Sequence, residues 1–298
     1  MTMTLPQADT NDASLVFCGI TPQPPLERAR AVIVPVPYEA TTSYLTGTRL
    51  GPSAILAASG QVELWDDETG TEPWDAGLHT LAEVALPEGD SAGALARIRE
   101  VAATLGASGA FPVFLGGEHS ITPAIVEALA PQVPGLSVLQ IDAHADLREE
   151  YQGSPYSHAC AMRRVLDVAP CTQVAIRSLS REEAEALPHL DTRIFYDRDM
   201  RRDPGWMDRV IDRLSDRVYL TIDCDGLDPA IMPAVGTPEP GGLGWYETLA
   251  LMKKLFAARE VVACDVVELC PQPGMIGSSF LCAKLVYKLL AYRFAAGR

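Results

Sequence analysis

The sequence predicts an α/β fold in which a mainly parallel sheet carries helices on both faces. Two observations predict it: seven runs rich in Val, Ile and Leu recur along the chain, and stretches of helical periodicity separate them. Runs that are apolar at nearly every position belong to strands buried on both sides, which is the situation of parallel strands joined by crossover helices. At 298 residues and 48% hydrophobic content, the chain has material for one sizeable core. No change in composition divides it. A single domain is therefore expected from residue 12 to residue 298, after a polar, flexible segment from Met1 to about Asn11.

Taken in order, Ala31 to Val36 reads as the first strand. The amphipathic patterns Pro52 to Ser59 and Ala92 to Leu105 follow as helices and lead to the strand Phe111 to Leu115. Pro123 to Leu129 is the next helix, and Leu136 to Ile141 the next strand. A helical stretch from Ala159 to Val168 precedes two short strands, Gln173 to Ile176 and Arg193 to Tyr196. Trp206 to Leu214 and Trp245 to Ala257 are helices ahead of the strands Arg217 to Ile222 and Glu260 to Val267, and Ser279 to Phe294 closes the chain. Pro and Gly gather in the long segment Pro229 to Gly244, whose place after an acidic string marks it as a functional loop.

Composition narrows the function. A net charge of −15, from 24 basic against 39 acidic residues, argues against a nucleic-acid partner and favours a cationic ligand. The N-terminus lacks the basic start and apolar core of a signal peptide, and no apolar run approaches the roughly 20 residues of a membrane span. No membrane partner and a cytoplasmic location are expected. Seven cysteines without a C-x-x-C pair suit small buried hydrophobes in a reducing compartment. No G-x-G-x-x-G follows the first strand, so a nicotinamide cofactor is not expected.

In a parallel sheet, ligands collect beyond the carboxyl ends of the strands. Three short strings lie there: Gly116-Gly117-Glu118-His119, Asp142-Ala143-His144-Ala145-Asp146 and Asp223-Cys224-Asp225. Side chains two apart share a face of an extended chain, so each acidic string can grip an ion from one segment. Burying such acids beside apolar runs costs several kcal/mol each unless they are paired or ligate a metal. Together the strings offer four carboxylates and two imidazoles: His119, Asp142, His144, Asp146, Asp223 and Asp225. That donor set is too large for one tetrahedral Zn²⁺ and too small for one Ca²⁺ cage of oxygens. It suits two borderline-hard ions such as Mn²⁺ sharing carboxylates, a pairing that makes a nucleophile from water near neutral pH. His158 follows closely and is a candidate proton shuttle, or else an ordinary histidine at a helix start. Glu268 ends the last strand as a solvated rim residue, or as the receiver of a cationic substrate group. His79 and His189 have no such context and read as structural or surface residues.

Those strings, read as Gly116-Gly117-Glu118-His119-Ser120, Ile141 to Asp146, and Thr221-Ile222-Asp223-Cys224-Asp225-Gly226-Leu227-Asp228-Pro229, resemble the signature motifs of the ureohydrolase family of arginases, agmatinases and their relatives. The likeness runs from about Val34 to the C-terminus and includes Thr42-Ser43-Tyr44, Gly47-Thr48-Arg49 and Gly236 to Leu243. The resemblance implies a three-layer α/β/α sandwich, assembled as a homotrimer or homohexamer. It implies two Mn²⁺ per subunit, one on His119, Asp142, Asp146 and Asp223 and the other on Asp142, His144, Asp223 and Asp225, with Asp142 and Asp223 bridging. It further implies His158 as proton shuttle, Asp146 as proton donor to the leaving amine, and Glu268 as the acid that binds a guanidinium. The charge balance agrees: two divalent ions offset four carboxylates, and a bridging hydroxide with Glu268 leaves the centre negative toward a guanidinium cation.

In arginases the first acidic string leads into an Asn and a Ser-rich loop that hold the amino acid's carboxylate and amine. Here it continues as Leu147-Arg148-Glu149-Glu150-Tyr151, without that Asn. The expected substrate is therefore agmatine, giving putrescine and urea, with a distal amine near Glu149 or Glu150. Aminopropylagmatine and guanidinobutyrate are the near alternatives, the latter if Arg148 holds a carboxylate, and arginine is more distant. Two readings from other classes are a one-zinc deacetylase-like amidohydrolase and a non-enzymatic metal-binding paralogue. The complete ligand set weighs against both.

Overall fold

Eight strands form one parallel sheet among the described residues, which in this computed structural model are 5, 6 and 12–295. They are β1 (Ala31–Val36), β2 (Leu78–Thr80), β3 (Phe111–Gly116), β4 (Leu136–Ile141), β5 (Cys171–Ile176), β6 (Thr192–Tyr196), β7 (Arg217–Asp223) and β8 (Glu260–Val267). The helices are α1 (Gly51–Ser59), α2 (Ser91–Gly106), α3 (Ile121–Leu129), α4 (Ala161–Val165), α5 (Arg181–Ala186), α6 (Asp197–Met200), α7 (Trp206–Arg213), α8 (Trp245–Ala258) and α9 (Ile276–Ala295). The order across the sheet is β2-β1-β3-β8-β7-β4-β5-β6, and every pairing is parallel.

Alternation along each strand splits the core in two. Ile33, Leu115, Leu139, Leu220, Ile222 and Val266 pack on one face against Ile55 of α1, Leu251 of α8 and Leu285 of α9. Val32, Val34, Phe114, Val138 and Tyr219 pack on the other against Ile98 of α2, Ile125 of α3 and Met162 of α4. The α/β class with a parallel sheet and two helical layers is thus what the chain adopts. No described helix is long and apolar enough to cross a membrane.

Three differences from the sequence expectation are local. The three-residue strand β2 escapes a pattern search because Leu78-His79-Thr80 is not an apolar run, although His79 is buried there with Nδ1 2.8 Å from the Pro24 carbonyl. The polar helices α5 and α6 are too short to show a period. The helix expected over Ala159 to Val168 is α only over Ala161–Val165, preceded by a 3₁₀ turn, His158–Cys160. Of the N-terminal segment expected to fray, only Leu5 and Pro6 lie within the described residues, Leu5 against the second half-core. All seven cysteines are free and buried, as expected of small hydrophobes.

Candidate metal centre

The strand order brings four sequence-distant loops to one rim, because β3, β8, β7 and β4 are consecutive neighbours in the sheet. His119 follows β3, Glu268 follows β8, Asp223 ends β7 with Asp225 just beyond, and Asp142 to Asp146 follow β4. Two glycines permit the approach. A side chain on Gly117 would fall 2.0 Å from the Tyr38 carbonyl oxygen, and one on Gly226 would fall 2.6 Å from the Asp142 amide nitrogen. Gly226 therefore lets the turn carrying Asp225 rest against the backbone of Asp142. Asp146 and Glu268 sit at φ 53° and 63°, left-handed backbone that non-glycine residues hold only where the surroundings enforce it.

His119 is fully buried. Its Nε2 lies 2.9 Å from the Thr221 hydroxyl, which orients the ring. Its Nδ1 faces Oδ2 of Asp142, Asp146 and Asp223 at 3.1, 3.2 and 3.3 Å, and has no hydrogen-bond partner. A second group forms alongside. His144 Nδ1 is 3.0 Å from Asp225 Oδ2 and 3.6 Å from Asp142 Oδ1. Asp142 belongs to both groups that could hold an ion, His119–Asp142–Asp223 and Asp142–His144–Asp225. Asp223 falls in the first of these, and its Oδ1 accepts the Asp225 amide at 2.9 Å. Gln140 Nε2 donates to Asp142 Oδ2 at 2.6 Å and the Ala143 amide to Asp225 Oδ1 at 3.1 Å, so the ligands are held from behind.

Electrostatics give the test of fit. Burial pushes Asp223 well above the ordinary carboxylate range, with Asp225 and Asp142 adding repulsion. Burial and the Asp142 charge also push Asp146 up. Burial lowers the imidazoles, yet the carboxylates facing them prevail: His119 is held well above its ordinary value, and His144 is raised to about 12 by Asp225 and Asp142. The polypeptide alone thus concentrates negative charge that calls for cations. The orphaned His119 Nδ1 aimed at three carboxylate oxygens is a ligand set waiting for an ion, so the residues fit a pair of metal ions.

The centre opens on a cavity of about 290 Å³ lined by His144, Asp146, Asp223, Asp225, His158 and Glu268, with Thr42 to Leu45, Gly236 and Thr237 along its walls. The six expected metal ligands, His158 and Glu268 all lie at this one place. Glu268 Oε1 accepts the His119 amide at 2.6 Å, and burial together with the Glu118 charge pushes its carboxyl well up, so a cation before it would be welcome. The loop Pro229 to Gly244 contributes Thr237, whose hydroxyl lies 3.4 Å from Asp225 Oδ2. His189 is exposed and His79 lies in an edge strand, away from the centre.

The tail end of the cavity differs from expectation. Glu149 is exposed and bonded to Arg163 and Arg164 at 2.5 and 2.6 Å, and neither it nor Glu150 lines the cavity. The acid that does is Glu183, buried in α5, whose Oε1 accepts the Leu147 amide at 2.8 Å and whose Oε2 accepts the Ser180 amide at 2.6 Å. Arg148 lies 4.0 Å from Glu183 and 5.0 Å above the Tyr151 ring, rather than on Glu149 or Glu150. A signal for Glu183 was present in the sequence: Ser180-x-x-Glu183 is a helix capping box, and both of its reciprocal bonds form.

The sequence model of the arginase family matches residues 29–291. Among curated relatives, the N(1)-aminopropylagmatine ureohydrolase of Synechocystis is 44% identical over 274 residues, 89% of each chain. The agmatinase of Pyrococcus horikoshii is 32% identical over 97% of this chain and 95% of its own. The crystal structure of agmatine ureohydrolase from Thermoplasma volcanium superposes with a TM-score of 0.84 at 32% identity, covering 98% of this chain and 96% of that one.

Proposed function

The chain belongs to the arginase family, a hydrolase acting on guanidino groups of agmatine-like substrates, and on that premise we propose that its preferred substrate is N1-aminopropylagmatine, split to urea and the corresponding polyamine. The observation that carries this reading is the 44% identity over 89% of both chains to a relative of that name, against 32% to 35% to relatives named agmatinase. It supports the aminopropyl-bearing substrate over agmatine, the substrate expected from the sequence. Arg148 lies 4.0 Å from the Glu183 carboxylate and over the Tyr151 ring, and an acid beside it weighs against a substrate carboxylate there and so against guanidinobutyrate. Glu183 is the cavity acid for the cationic tail, in place of Glu149 or Glu150.

In this reading His119, Asp142, Asp146 and Asp223 hold one Mn²⁺ and Asp142, His144, Asp223 and Asp225 the other, a donor set of mixed imidazole and carboxylate suited to that ion. When bound, the ions supply an activated water nucleophile near neutral pH. Glu268 orients the guanidinium by charge-assisted hydrogen bonds. Asp146 passes a proton to the departing amine nitrogen, and His158 exchanges protons between the site and solvent. Assembly as a homotrimer or homohexamer in the cytoplasm completes the proposal.

The test is urea release by the Mn²⁺-loaded protein across N1-aminopropylagmatine, agmatine, guanidinobutyrate and L-arginine. The expected outcome is a kcat/KM for N1-aminopropylagmatine about tenfold above that for agmatine, the scale of one well-placed pocket contact. A higher value for agmatine would return the assignment to agmatinase, and a preference for L-arginine would overturn both.

A further inference from the structure

Glu118 is fully buried one residue before His119, yet neither ion-binding group includes it. A buried carboxylate without partners is costly, so what it binds is informative. Its Oε2 accepts the amides of Ala40 and Thr41 at 2.7 and 2.6 Å, and its Oε1 accepts the hydroxyls of Thr41 and Ser120 at 2.8 and 2.5 Å. Four donors fill the lone-pair sites of a carboxylate. Three of the four belong to residues 40 and 41, which lead directly into the cavity wall Thr42 to Leu45.

The Thr41 hydroxyl has a single proton, and Glu118 takes it. Its oxygen is left to accept. It receives the His158 amide at 3.0 Å and lies 3.2 Å from His158 Nδ1. The Ser157 hydroxyl also lies near Nδ1, at the longer distance of 3.5 Å. Toward the nearer Thr41 oxygen, whose proton is already committed, Nδ1 pairs by carrying the hydrogen, which leaves Nε2 as the nitrogen free to take up a proton. The Tyr151 ring packs edge-on against the imidazole, with centroids 6.1 Å apart, and limits its rotation.

We propose that Glu118 is a positioning residue for the hydrolysis: through the Thr41 hydroxyl it sets the tautomer and orientation of His158, so that Nε2 is the atom that exchanges protons with the cavity. This rests on His158 as the proton shuttle of the proposed function. Nothing in the sequence spacing of Thr41, Glu118 and His158 announces the link; β1 and β3 are neighbours, which brings Thr41 to Glu118, and the loop after β4 brings His158 to Thr41.

The experiment is a set of variants of the full, Mn²⁺-loaded chain: Thr41→Val, Thr41→Ser, Glu118→Gln, His158→Asn and the double variant Thr41→Val with His158→Asn. Each is assayed for kcat, KM and bound metal. Loss of the hydroxyl in Thr41→Val should lower kcat about tenfold or more, part of the 10²–10⁴ that a placed acid–base group supplies, with KM and metal content little changed. Thr41→Ser, which keeps the hydroxyl, should restore most of that turnover, and Glu118→Gln should resemble Thr41→Val. In the His158→Asn background, Thr41→Val should add less than about a twofold loss, since residues acting as one unit are not additive. Equal kcat for Thr41→Val and Thr41→Ser, a full additional loss in the His158→Asn background, or a parallel fall in bound metal would each overturn the positioning role while leaving His158 as shuttle. Wild-type turnover in His158→Asn would remove the shuttle itself, and this proposal with it. The Thr41 pair carries the test should Glu118→Gln fail to fold.

Discussion

Asp142 stands in both groups that could hold an ion, whereas Asp225 stands in one, and their substitutions should separate accordingly. Asp142→Asn is expected to retain fewer than about one ion per chain and Asp225→Asn about one, read by elemental analysis after gel filtration, with activity down about a hundredfold or more in both. Equal metal loss in the two variants would mean that Asp142 is not shared. Glu268 has a different job. It contacts the His119 amide but lies in neither group, so Glu268→Gln should keep its metal and raise KM for the guanidino substrate by about thirtyfold, the worth of a charge-assisted hydrogen bond. A fall in kcat at unchanged KM would place its action in the transition state instead.

At the scale of elements, α9 is fastened to the loop after α1 by a buried cation. Lys288, 3% exposed, lies 2.9 Å from Asp66 and 2.6 Å from Glu68, and the Tyr292 hydroxyl donates to Glu68 at 2.7 Å. Lys288→Met would leave the fully buried Asp66 charged and unpaired, so a loss of about 3 kcal/mol in urea unfolding is expected. The pH dependence has a definite sign. Burial works to raise the Glu68 carboxyl, but hydrogen bonds from Lys288, Tyr292 and Lys253 prevail and hold it down at about 2. A carboxyl depressed on folding stabilises above its unfolded value near 4.3 and loses that contribution as pH falls toward 2. The melting temperature should therefore decline across that window in the parent chain, and Glu68→Gln should flatten the decline. An unchanged slope would remove Glu68 from the account.

For the whole molecule, the clustered acids make stability depend on cations. An ion that binds only the folded chain contributes about 2.7 kcal/mol when present at a hundred times its Kd. In a chain of this size that is worth about 4 °C per site. Chelation should lower the melting temperature measured by scanning fluorimetry by at least that amount, and Mn²⁺ should restore it. A melting temperature indifferent to chelator would contradict the metal centre as a folded-state binding site. The same convergence explains why four loops far apart in sequence act together: parallel strands with crossover helices all end on one side, and β3, β8, β7 and β4 are laid side by side.

The sequence by itself determined the fold class and the chemistry of the rim. Runs such as Leu136 to Ile141 and Arg217 to Ile222 are apolar on both faces, which only a covered parallel sheet satisfies, and the acids following them are legible because burying carboxylates there has no purpose other than pairing or ligation. Short or polar elements such as β2, α5 and α6 were not legible, since three to six residues hold no measurable period. The tertiary structure decided which of two acids lines the cavity. Glu149 and Glu183 look alike as letters, but α5 turns Glu183 inward while Arg163 and Arg164 hold Glu149 at the surface. It also decided that Glu118, Thr41 and His158 form one chain of hydrogen bonds. Contacts of that kind depend on which strands lie side by side, and strand order is a property of the packed sheet that no local pattern of residues encodes.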